Sequence, residues 1–297
     1  MKKPVFTGSA VALITPYTKG GAAVDFDAYG KLIDRQIAGG TAALVVCATT
    51  GEAPTLSDEE HHACIDYAVE RTAGRIPVIA GTGSNDTAHA VEMSRYAMRA
   101  GADAVLMVTP YYNKPTQKGI LKQYTYIAER VDLPIILYNI PGRTGVSISA
   151  PVFEELSRIE NINGVKEASG DFALINDIIH RCGDDMNVWA GNDDITVPIM
   201  SLGGKGVIST AANLIPEVMH DICALFFSGD VKAAGEKQIE YYDILRDLFL
   251  ETNPIPVKTA VNLAGFPGGD WRLPLCEMTD ENLEKLKKSL KNHNLIN

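Results

Sequence analysis

The chain alternates short apolar runs with longer segments whose apolar residues recur at helical spacing. Eight runs rich in β-branched residues predict strands: SAVALITP, AALVVCATTG, IPVIAGTG, AVLMVTPYY, LPIILYNIP, INGVKEAS, MNVWAG and GVISTAAN. Most are separated by segments such as DFDAYGKLIDRQIAGG and SDEEHHACIDYAVERTAG, which begin at Asp or Ser and end at Gly, as helices often do. Strands that are apolar on both faces are typical of a parallel sheet covered by helices. Eight such units predict the α/β class and a closed (β/α)8 TIM barrel, with an open sheet as the alternative.

The strand pattern stops near residue 225, and the rest of the sequence has helical periodicity. Three segments predict helices there: GDVKAAGEKQIEYYDILRDLFLETN, PIPVKTAVNLAG and TDENLEKLKKSLKNH. We therefore expect the chain to divide into a (β/α)8 barrel over residues 1–224 and a C-terminal helical extension, packed on the barrel, over residues 225–297.

Composition and charge limit the kinds of partner. The 297 residues, 46% of them hydrophobic, are enough for a large core. The net charge of -10 argues against binding to nucleic acid or to an anionic membrane, since both attract clustered Lys and Arg. No apolar run is long enough to span a bilayer. The protein is therefore expected to act on small molecules.

Candidate metal ligands are few. Five scattered cysteines without C-x-x-C spacing suggest a reducing cytoplasm and neither a disulfide framework nor a zinc site. His61 and His62 are neighbours on a predicted surface helix, so their side chains point about 100° apart and cannot share a metal. Asp193 and Asp194 lack the spacing of a calcium loop and are predicted to cap a helix. We expect neither a metal nor a cofactor.

Polar residues cluster where the predicted strands end. In a barrel of parallel strands the chemistry takes place at the carboxyl ends of the strands, because the loops that follow them meet there. Those positions hold hydroxyls, phenols, an amide and one amine: Thr49 and Thr50 after the second run, Tyr111 and Tyr112 after the fourth, Tyr138 and Asn139 at the end of the fifth, and Lys166 near the end of the sixth.

Lys166 gives this set a chemical meaning. Burial disfavours the charged form of an amine and lowers its pKa. A lysine that is partly neutral near pH 7 can attack a carbonyl carbon and form a Schiff base. Tyr112 and Tyr138 are candidates to relay protons for that reaction. The threonine hydroxyls and the amides of the TTGE turn are candidates to bind a carboxylate, and Arg143 to hold a second one.

Each of these residues also has a purely structural explanation. Most lysines are solvated surface groups, tyrosines at strand ends commonly cap the core, and threonines favour strands. Arg143 can equally be a surface arginine in a loop. Only the coincidence of polar groups at four strand ends favours a reaction site over these explanations.

Seven motifs resemble one known family. FTGSAVALITP, TTGEAPTLS, GTGSNDT, VTPYYNKPTQKG, YNIPGRTG, GVKEASGD and GVIST are similar to motifs of the dihydrodipicolinate synthases, and the likeness runs from about residue 5 to the C-terminal helices. The resemblance implies a cofactor-free (β/α)8 enzyme that uses pyruvate as class I aldolases do. It also implies that the enzyme condenses pyruvate with L-aspartate 4-semialdehyde, in the diaminopimelate and lysine pathway, and works in the cytoplasm as a homotetramer built as a dimer of dimers.

The resemblance assigns catalytic roles to four residues. It implies that Lys166 is the Schiff-base lysine and that Tyr138 is the phenol that relays protons. It further implies that Thr49 and Tyr112 are the partners of Tyr138, with Tyr112 reaching in from the neighbouring subunit.

The resemblance also assigns substrate contacts. It implies that Thr50 binds the pyruvate carboxylate, that Arg143 holds the carboxylate of aspartate semialdehyde, and that Gly191 and Ile208 contribute backbone contacts. Relatives with the same barrel and lysine, N-acetylneuraminate lyase and the 2-keto-3-deoxy sugar-acid aldolases, accept sugar-like aldehydes and generally lack the arginine. Arg143 therefore favours the synthase, with these relatives as the alternative. A barrel that binds a keto acid as a regulator, without turnover, is the alternative from another class.

Members of the family that lysine inhibits bind it in a cleft at the dimer interface. By motif, Tyr111, Asn85 and His61 still stand in that cleft. Other positions depart from the usual pattern: Ala53 replaces a serine, Pro54 follows it, Asp58 replaces a frequent histidine, and His89 replaces a glutamate. Because the acidic partner for the α-amine of lysine is lost, we expect lysine to bind weakly or not at all.

Overall fold

Eight parallel strands form a closed barrel in the computed structural model, which describes residues 2–297. Each strand pairs with the next one in the chain, and β8 pairs with β1. The strands are β1 (Gly8–Ala12), β2 (Ala43–Val46), β3 (Val78–Gly81), β4 (Ala104–Val108), β5 (Ile135–Asn139), β6 (Ile162–Glu167), β7 (Asn187–Ala190) and β8 (Gly206–Ser209). All eight predicted strands and the (β/α)8 TIM barrel are thereby confirmed.

Helices connect the strands and continue beyond the barrel. They are α1 (Phe26–Ala38), α2 (Asp58–Thr72), α3 (Thr87–Ala100), α4 (Gln117–Ala128), α5 (Pro141–Thr144), α6 (Ala150–Ser157), α7 (Phe172–Cys182), α8 (Thr196–Ser201), α9 (Pro216–Phe227), α10 (Val231–Glu240), α11 (Tyr242–Asp247), α12 (Ile255–Leu263) and α13 (Asp280–Asn292). Within residues 2–297, no helix combines the length and the apolar character that crossing a membrane requires.

Side-chain caps begin several of these helices. The Asp25 carboxylate accepts a hydrogen bond from the backbone of Ala28 at the start of α1. Ser57 and Glu60 form a reciprocal capping box at the start of α2. These caps satisfy amide groups that have no partner inside the helix, so α1 and α2 begin where the sequence predicts.

The barrel interior is closed at its amino-terminal end by the segment before β1. The Phe6 ring stacks on Trp189 with 5.0 Å between the ring centres. Gly164 lies beside this pair, and a Cβ there would come within 2.6 Å of the Trp189 ring. The ammonium of Lys2 donates to the carbonyl oxygens of residues 157, 159 and 162 at 2.5 to 2.7 Å. This end of the barrel is therefore filled, and any open cavity must lie at the other end.

The C-terminal helices pack on the barrel. The long segment predicted as one helix after residue 228 is divided into α10 and α11, which meet at Tyr241. Lys258, on α12, donates to the carboxylate of Glu52 in the turn after β2, and the two atoms are 2.6 Å apart. Both side chains are fully buried. The division between residues 224 and 225 stays a prediction, while this ion pair ties the last helices to the barrel.

Replacing Lys258 should destabilise the protein strongly. Lys258→Met keeps most of the side-chain volume but leaves the buried carboxylate of Glu52 without its cation, which typically costs about 3–5 kcal/mol. We expect chemical denaturation to show a loss of that order in the free energy of unfolding. Lys285→Met, which breaks an exposed ion pair with Glu281, is the matched control and should cost less than about 1 kcal/mol.

The double variant Glu52→Gln/Lys258→Met removes both charges and should recover part of the loss. A Lys258→Met protein as stable as its parent would contradict the structural role of the pair.

Candidate active site

A cavity of about 510 Å³ opens at the carboxyl ends of β2 to β5. Its wall combines residues from the loops after these strands with residues from the segment before α12. It includes most of the residues that the sequence singles out: Thr49, Ala53, Asp58, His61, His89, Tyr111, Tyr138 and Arg143. Of the polar cluster predicted at the strand ends, Thr49, Tyr111 and Tyr138 line this one space.

Lys166 lies at the carboxyl end of β6, directly opposite Tyr138 in the register with β5. Its side chain is buried, and its Nζ is 4.4 Å from the centre of the Tyr138 ring. Burial lowers the pKa of Lys166 to about 8, against the attraction of the Asp193 carboxylate, while the charge of Arg143 lowers it further. The amine therefore has a substantial neutral fraction near neutral pH and can act as a nucleophile.

Tyr138 lines the cavity beside the amine. Burial raises its pKa to about 12, although the positive charge of Arg143 and the Thr49 hydroxyl oppose the shift. The phenol consequently stays protonated at neutral pH. A protonated phenol next to a neutral amine can donate a proton to a developing oxyanion or hydroxyl leaving group.

A buried pair holds the ends of β5 and β6 together below these two residues. The Asn139 amide donates to the Glu167 carboxylate at 2.9 Å, and the second oxygen of Glu167 accepts from the backbone of Ser169 at 2.7 Å. Both side chains are fully buried. Since each is the chain neighbour of Tyr138 or Lys166, this contact fixes the relative position of phenol and amine.

Thr49 and Thr50 lie in a turn rather than at the end of a strand. β2 already ends at Val46, and Cys47 and Glu52 adopt left-handed backbone angles with φ of 53° and 56°. Non-glycine residues in this region carry strain, which is common where a loop is held for a function. The Thr50 hydroxyl accepts a hydrogen bond of 2.9 Å from the side chain of Asn253.

Arg143 lies in the short helix α5 rather than in an irregular loop. Its side chain lines the cavity, and its Nη2 donates to the backbone oxygen of Asn253 at 2.9 Å. One carbonyl therefore fixes the guanidinium near Tyr138 and leaves its other donors free for a ligand. A planar guanidinium in such a position suits a carboxylate.

Tyr112 does not reach the cavity of its own chain. β4 ends at Val108, and Tyr112 follows four residues later with a φ of 71° and a side chain that is 91% exposed. Tyr111, next to it, does line the cavity. The strained backbone directs the Tyr112 ring away from Lys166 of the same chain, so the predicted partner of Tyr138 is not brought together with it here.

Gly191 and Ile208 lie beside the cavity wall rather than in it. The backbone of Gly191 donates to the carbonyl of Glu167 at 2.7 Å, and a Cβ at this position would come within 2.5 Å of Ala168. Ile208 is buried in the barrel interior in the same cluster as Tyr138. Gly191 therefore packs against the end of β6, and Ile208 lies in the core cluster that contains Tyr138.

The predicted cleft residues line the same cavity, with the exception of Asn85. His61 is buried, so its predicted surface position is wrong, and its Nε2 lies 2.9 Å from the carbonyl oxygen of Gly81. Burial lowers the pKa of His61 to about 4, so the ring is neutral and its Nε2–H donates. His89 faces Asp58 at 3.8 Å, and Asn85 donates to the backbone oxygen of Tyr111 at 3.2 Å.

Asp193 has a different role from the helix cap that the sequence predicts. The predicted helix cap is wrong, because its carboxylate accepts from the backbone N–H groups of Thr210 and Ala211 after β8, at 3.1 and 3.0 Å. The residue is fully buried, and its other carboxylate oxygen has no hydrogen-bond partner among residues 2–297. It opposes the lowering of the Lys166 pKa. No local pattern distinguishes it from the adjacent Asp194.

Glu52, Lys258 and Asn253 were likewise not predicted. Glu52 and Asn253 line the cavity, and the side chain of each carries one buried oxygen without a partner in the described part of the chain. Among those residues, no group of three His, Cys, Asp or Glu side chains is arranged to hold a metal.

Comparison with known proteins gives consistent results. The model of the Dihydrodipicolinate synthetase family matches residues 5–293. The 4-hydroxy-tetrahydrodipicolinate synthase of Thermoanaerobacter pseudethanolicus is 52% identical over 294 residues, which cover 99% of this chain and 98% of the relative. The chloride-inhibited dihydrodipicolinate synthase of Acinetobacter baumannii, solved in complex with pyruvate, is 42% identical, with a TM-score of 0.94 and coverage of 98% of this chain and 99% of that chain. The dihydrodipicolinate synthase of Cyanidioschyzon merolae with lysine bound is 36% identical, with a TM-score of 0.95 and coverage of 99% and 100%.

Proposed function

The chain belongs to the dihydrodipicolinate synthetase family, and we propose that Lys166 performs the Schiff-base chemistry of its 4-hydroxy-tetrahydrodipicolinate synthase activity. This is a lyase-type activity of the diaminopimelate and lysine pathway. The single observation that carries the proposal is the buried amine of Lys166, with its lowered pKa, next to the Tyr138 phenol. The pyruvate complex of the Acinetobacter baumannii relative supports pyruvate as the first substrate.

The reaction begins at the amine. The neutral nitrogen of Lys166 attacks the keto carbon of pyruvate, and loss of one water gives the imine. Removal of a methyl proton then gives an enamine, whose carbon attacks the aldehyde carbon of L-aspartate 4-semialdehyde. The amino group of that substrate finally attacks the imine carbon and displaces the lysine. The cyclic product, 4-hydroxy-tetrahydrodipicolinate, and one water account for all atoms of the two substrates.

Tyr138 and Thr49 move the protons for these steps. Because burial keeps the Tyr138 phenol protonated, it can protonate the carbinolamine hydroxyl and later recover a proton. The Thr49 hydroxyl, which acts on the same phenol, gives the proton a path away from the amine. Retention of these two groups beside the lysine argues against a barrel that binds a keto acid without turnover.

Two groups bind the two substrate carboxylates. Thr50 and the backbone amides of its turn bind the carboxylate of pyruvate, as turns with converging N–H groups bind anions. Arg143 binds the carboxylate of the semialdehyde with the donors that Asn253 leaves free. Gly191 and Ile208 contribute backbone contacts in the pocket. A sugar-like aldehyde offers no carboxylate at that place, so Arg143 favours the synthase over the lyase and sugar-acid aldolase alternatives.

The active assembly is a homotetramer built as a dimer of dimers. The family resemblance implies the tetramer, and the dimer within it is supported by Tyr112, which keeps a strained φ of 71° and exposes a phenol that its own site does not use. In a two-fold dimer that phenol enters the site of the partner and completes the relay with Tyr138. The five free cysteines and the biosynthetic role suit a cytoplasmic location.

Pyruvate should be trapped on Lys166 in a pH-dependent manner. With pyruvate and borohydride, we expect reduction of the imine to add one pyruvyl group to Lys166, detected by intact mass and peptide mapping. Because only the neutral amine attacks and its pKa is about 8, the initial rate of imine formation should rise about tenfold from pH 6 to pH 7 and level off above pH 8.

Lys258 is the control for trapping, since it is buried but paired with Glu52, and it should stay unlabelled. The same protein should turn over pyruvate with L-aspartate 4-semialdehyde and not with N-acetylmannosamine. An adduct on another lysine, or the reverse aldehyde preference, would overturn the proposed function.

Two inactive variants should restore activity to each other if Tyr112 acts across the interface. Lys166→Ala has no amine but supplies Tyr112, whereas Tyr112→Phe keeps the amine. After joint dissociation and reassembly, random pairing makes about half the dimers mixed with one intact site each, so activity should reach roughly a quarter of the parental value.

The matched control mixes Lys166→Ala with Tyr138→Phe, because Tyr138 belongs to the same site as its own Lys166 and no intact site can form. No recovery with Tyr112→Phe would show that Tyr112 does not act across the interface. Recovery in the control would show that Tyr138 does not act on the Lys166 of its own chain.

Lysine should be a weak inhibitor. His89 stands where sensitive members carry a glutamate, and Asp58 faces His89 at 3.8 Å instead of an amine. Loss of a charge-assisted hydrogen bond typically costs about 1.5–3 kcal/mol, which lowers affinity by one to two orders of magnitude. We expect millimolar lysine to leave initial rates nearly unchanged, and His89→Glu to increase the sensitivity. Sigmoidal inhibition by sub-millimolar lysine in the parent protein would contradict this expectation.

A further inference from the structure

Asn253 links the two groups that bind the substrate carboxylates in the proposed function. Its side-chain Nδ2 donates to the Thr50 hydroxyl oxygen at 2.9 Å. Its backbone oxygen accepts from Arg143 Nη2 at 2.9 Å. The residue precedes α12, is 7% exposed and lines the cavity. One residue of the C-terminal segment therefore contacts both Thr50 and Arg143, through different atoms.

The polarity of the first contact determines what Thr50 can do. A hydroxyl has one proton to donate, and an amide NH2 group can only donate. When the NH2 group of Asn253 donates to the Thr50 oxygen, that oxygen must accept, and its own proton is left for another acceptor. The carboxylate of a bound keto acid is such an acceptor. The buried position of Thr50, which is 2% exposed, removes water as a competitor.

We propose that Asn253 is a positioning residue that orients the hydroxyl proton of Thr50 toward the carboxylate of the keto-acid substrate. The inference rests on the proposed function, in which Thr50 binds that carboxylate. Arg143, by contrast, is held by the backbone carbonyl of Asn253, which any residue at this position retains. Substitution of the side chain therefore acts on the keto acid and not on the aldehyde.

A purely structural bridge between the C-terminal segment and the turn predicts a different order of effects. For a bridge, the isosteric Asn253→Asp should be milder than Asn253→Ala. For hydroxyl orientation, Asn253→Asp is the worse change, because a carboxylate can only accept. The introduced carboxylate would accept the hydrogen bond that the Thr50 hydroxyl otherwise donates to the substrate. It would also add a negative charge beside the bound carboxylate. Alanine merely leaves the hydroxyl free to rotate.

Steady-state kinetics with each substrate varied in turn, together with borohydride trapping at graded pyruvate concentrations, test the inference. We expect the KM for pyruvate to rise about tenfold in Asn253→Ala, because the hydrogen bond to the carboxylate is weakened. In Asn253→Asp it should rise about a hundredfold, because that hydrogen bond is lost and a like charge is added. The KM for L-aspartate 4-semialdehyde should stay within about twofold in both variants, since the carbonyl that holds Arg143 remains.

Asn262 supplies the matched control. Its side chain donates to the backbone of Gly269 at 3.0 Å on the exposed side of α12, so Asn262→Ala and Asn262→Asp should change neither KM. In a Thr50→Val background, Asn253→Ala should add no further loss, because the hydroxyl it orients is absent.

Three results would overturn the inference. Asn253→Ala as damaging as Asn253→Asp would assign the residue a structural role. A parallel rise in both KM values would show that the side chain does not act through Thr50 alone. If Asn253→Asp fails to fold, the double variant Thr50→Val/Asn253→Ala decides instead. Additive increases of the KM for pyruvate in that variant would contradict the inference. Failure of the parent protein to trap pyruvate at all would instead overturn the proposed function, which is a separate outcome.

Discussion

Desolvation of the Lys166 amine is the constraint on which the site depends. A buried amine is held next to a buried phenol, and the same lack of water shifts their pKa values in opposite directions, to about 8 and about 12. The amine becomes a nucleophile while the phenol keeps its proton. A solvated lysine in the same sequence position would stay charged, and the phenol beside it would have no leaving group to protonate.

Nearby charges adjust the effect of burial without reversing it. Asp193 favours the ammonium form of Lys166, and Arg143 disfavours it. Asp193 is itself anchored by two backbone N–H groups after β8, so its position is as rigid as the barrel. The amine on β6 therefore lies between an acid that follows β7 and a guanidinium that follows β5, and its pKa reflects that balance together with burial.

The C-terminal helices are part of the site as well as of the core. Lys258 neutralises Glu52 inside the turn that carries Thr49 and Thr50, and Asn253 contacts both Thr50 and Arg143. Removing this segment would leave a buried carboxylate unpaired and two binding groups unsupported. The barrel thus presents the amine and the phenol, whereas the extension holds the groups around them.

Local pattern determined the elements and much of the chemistry of this protein. Eight apolar runs, capped helices and polar strand ends follow from short-range preferences, so the barrel and the set around Lys166 could be predicted from them. Charge pairing could not: Glu52 and Lys258 are 206 residues apart in the chain, and Asp193 and Asp194 look alike until one of them is buried. The sequence also could not tell that Tyr112 points out of its own site, because a left-handed φ in a non-glycine residue is stabilised by long-range contacts rather than by local preference. Sequence settled which groups are present, and tertiary structure decided their protonation and their partners, because both depend on water exclusion and on contacts between distant residues.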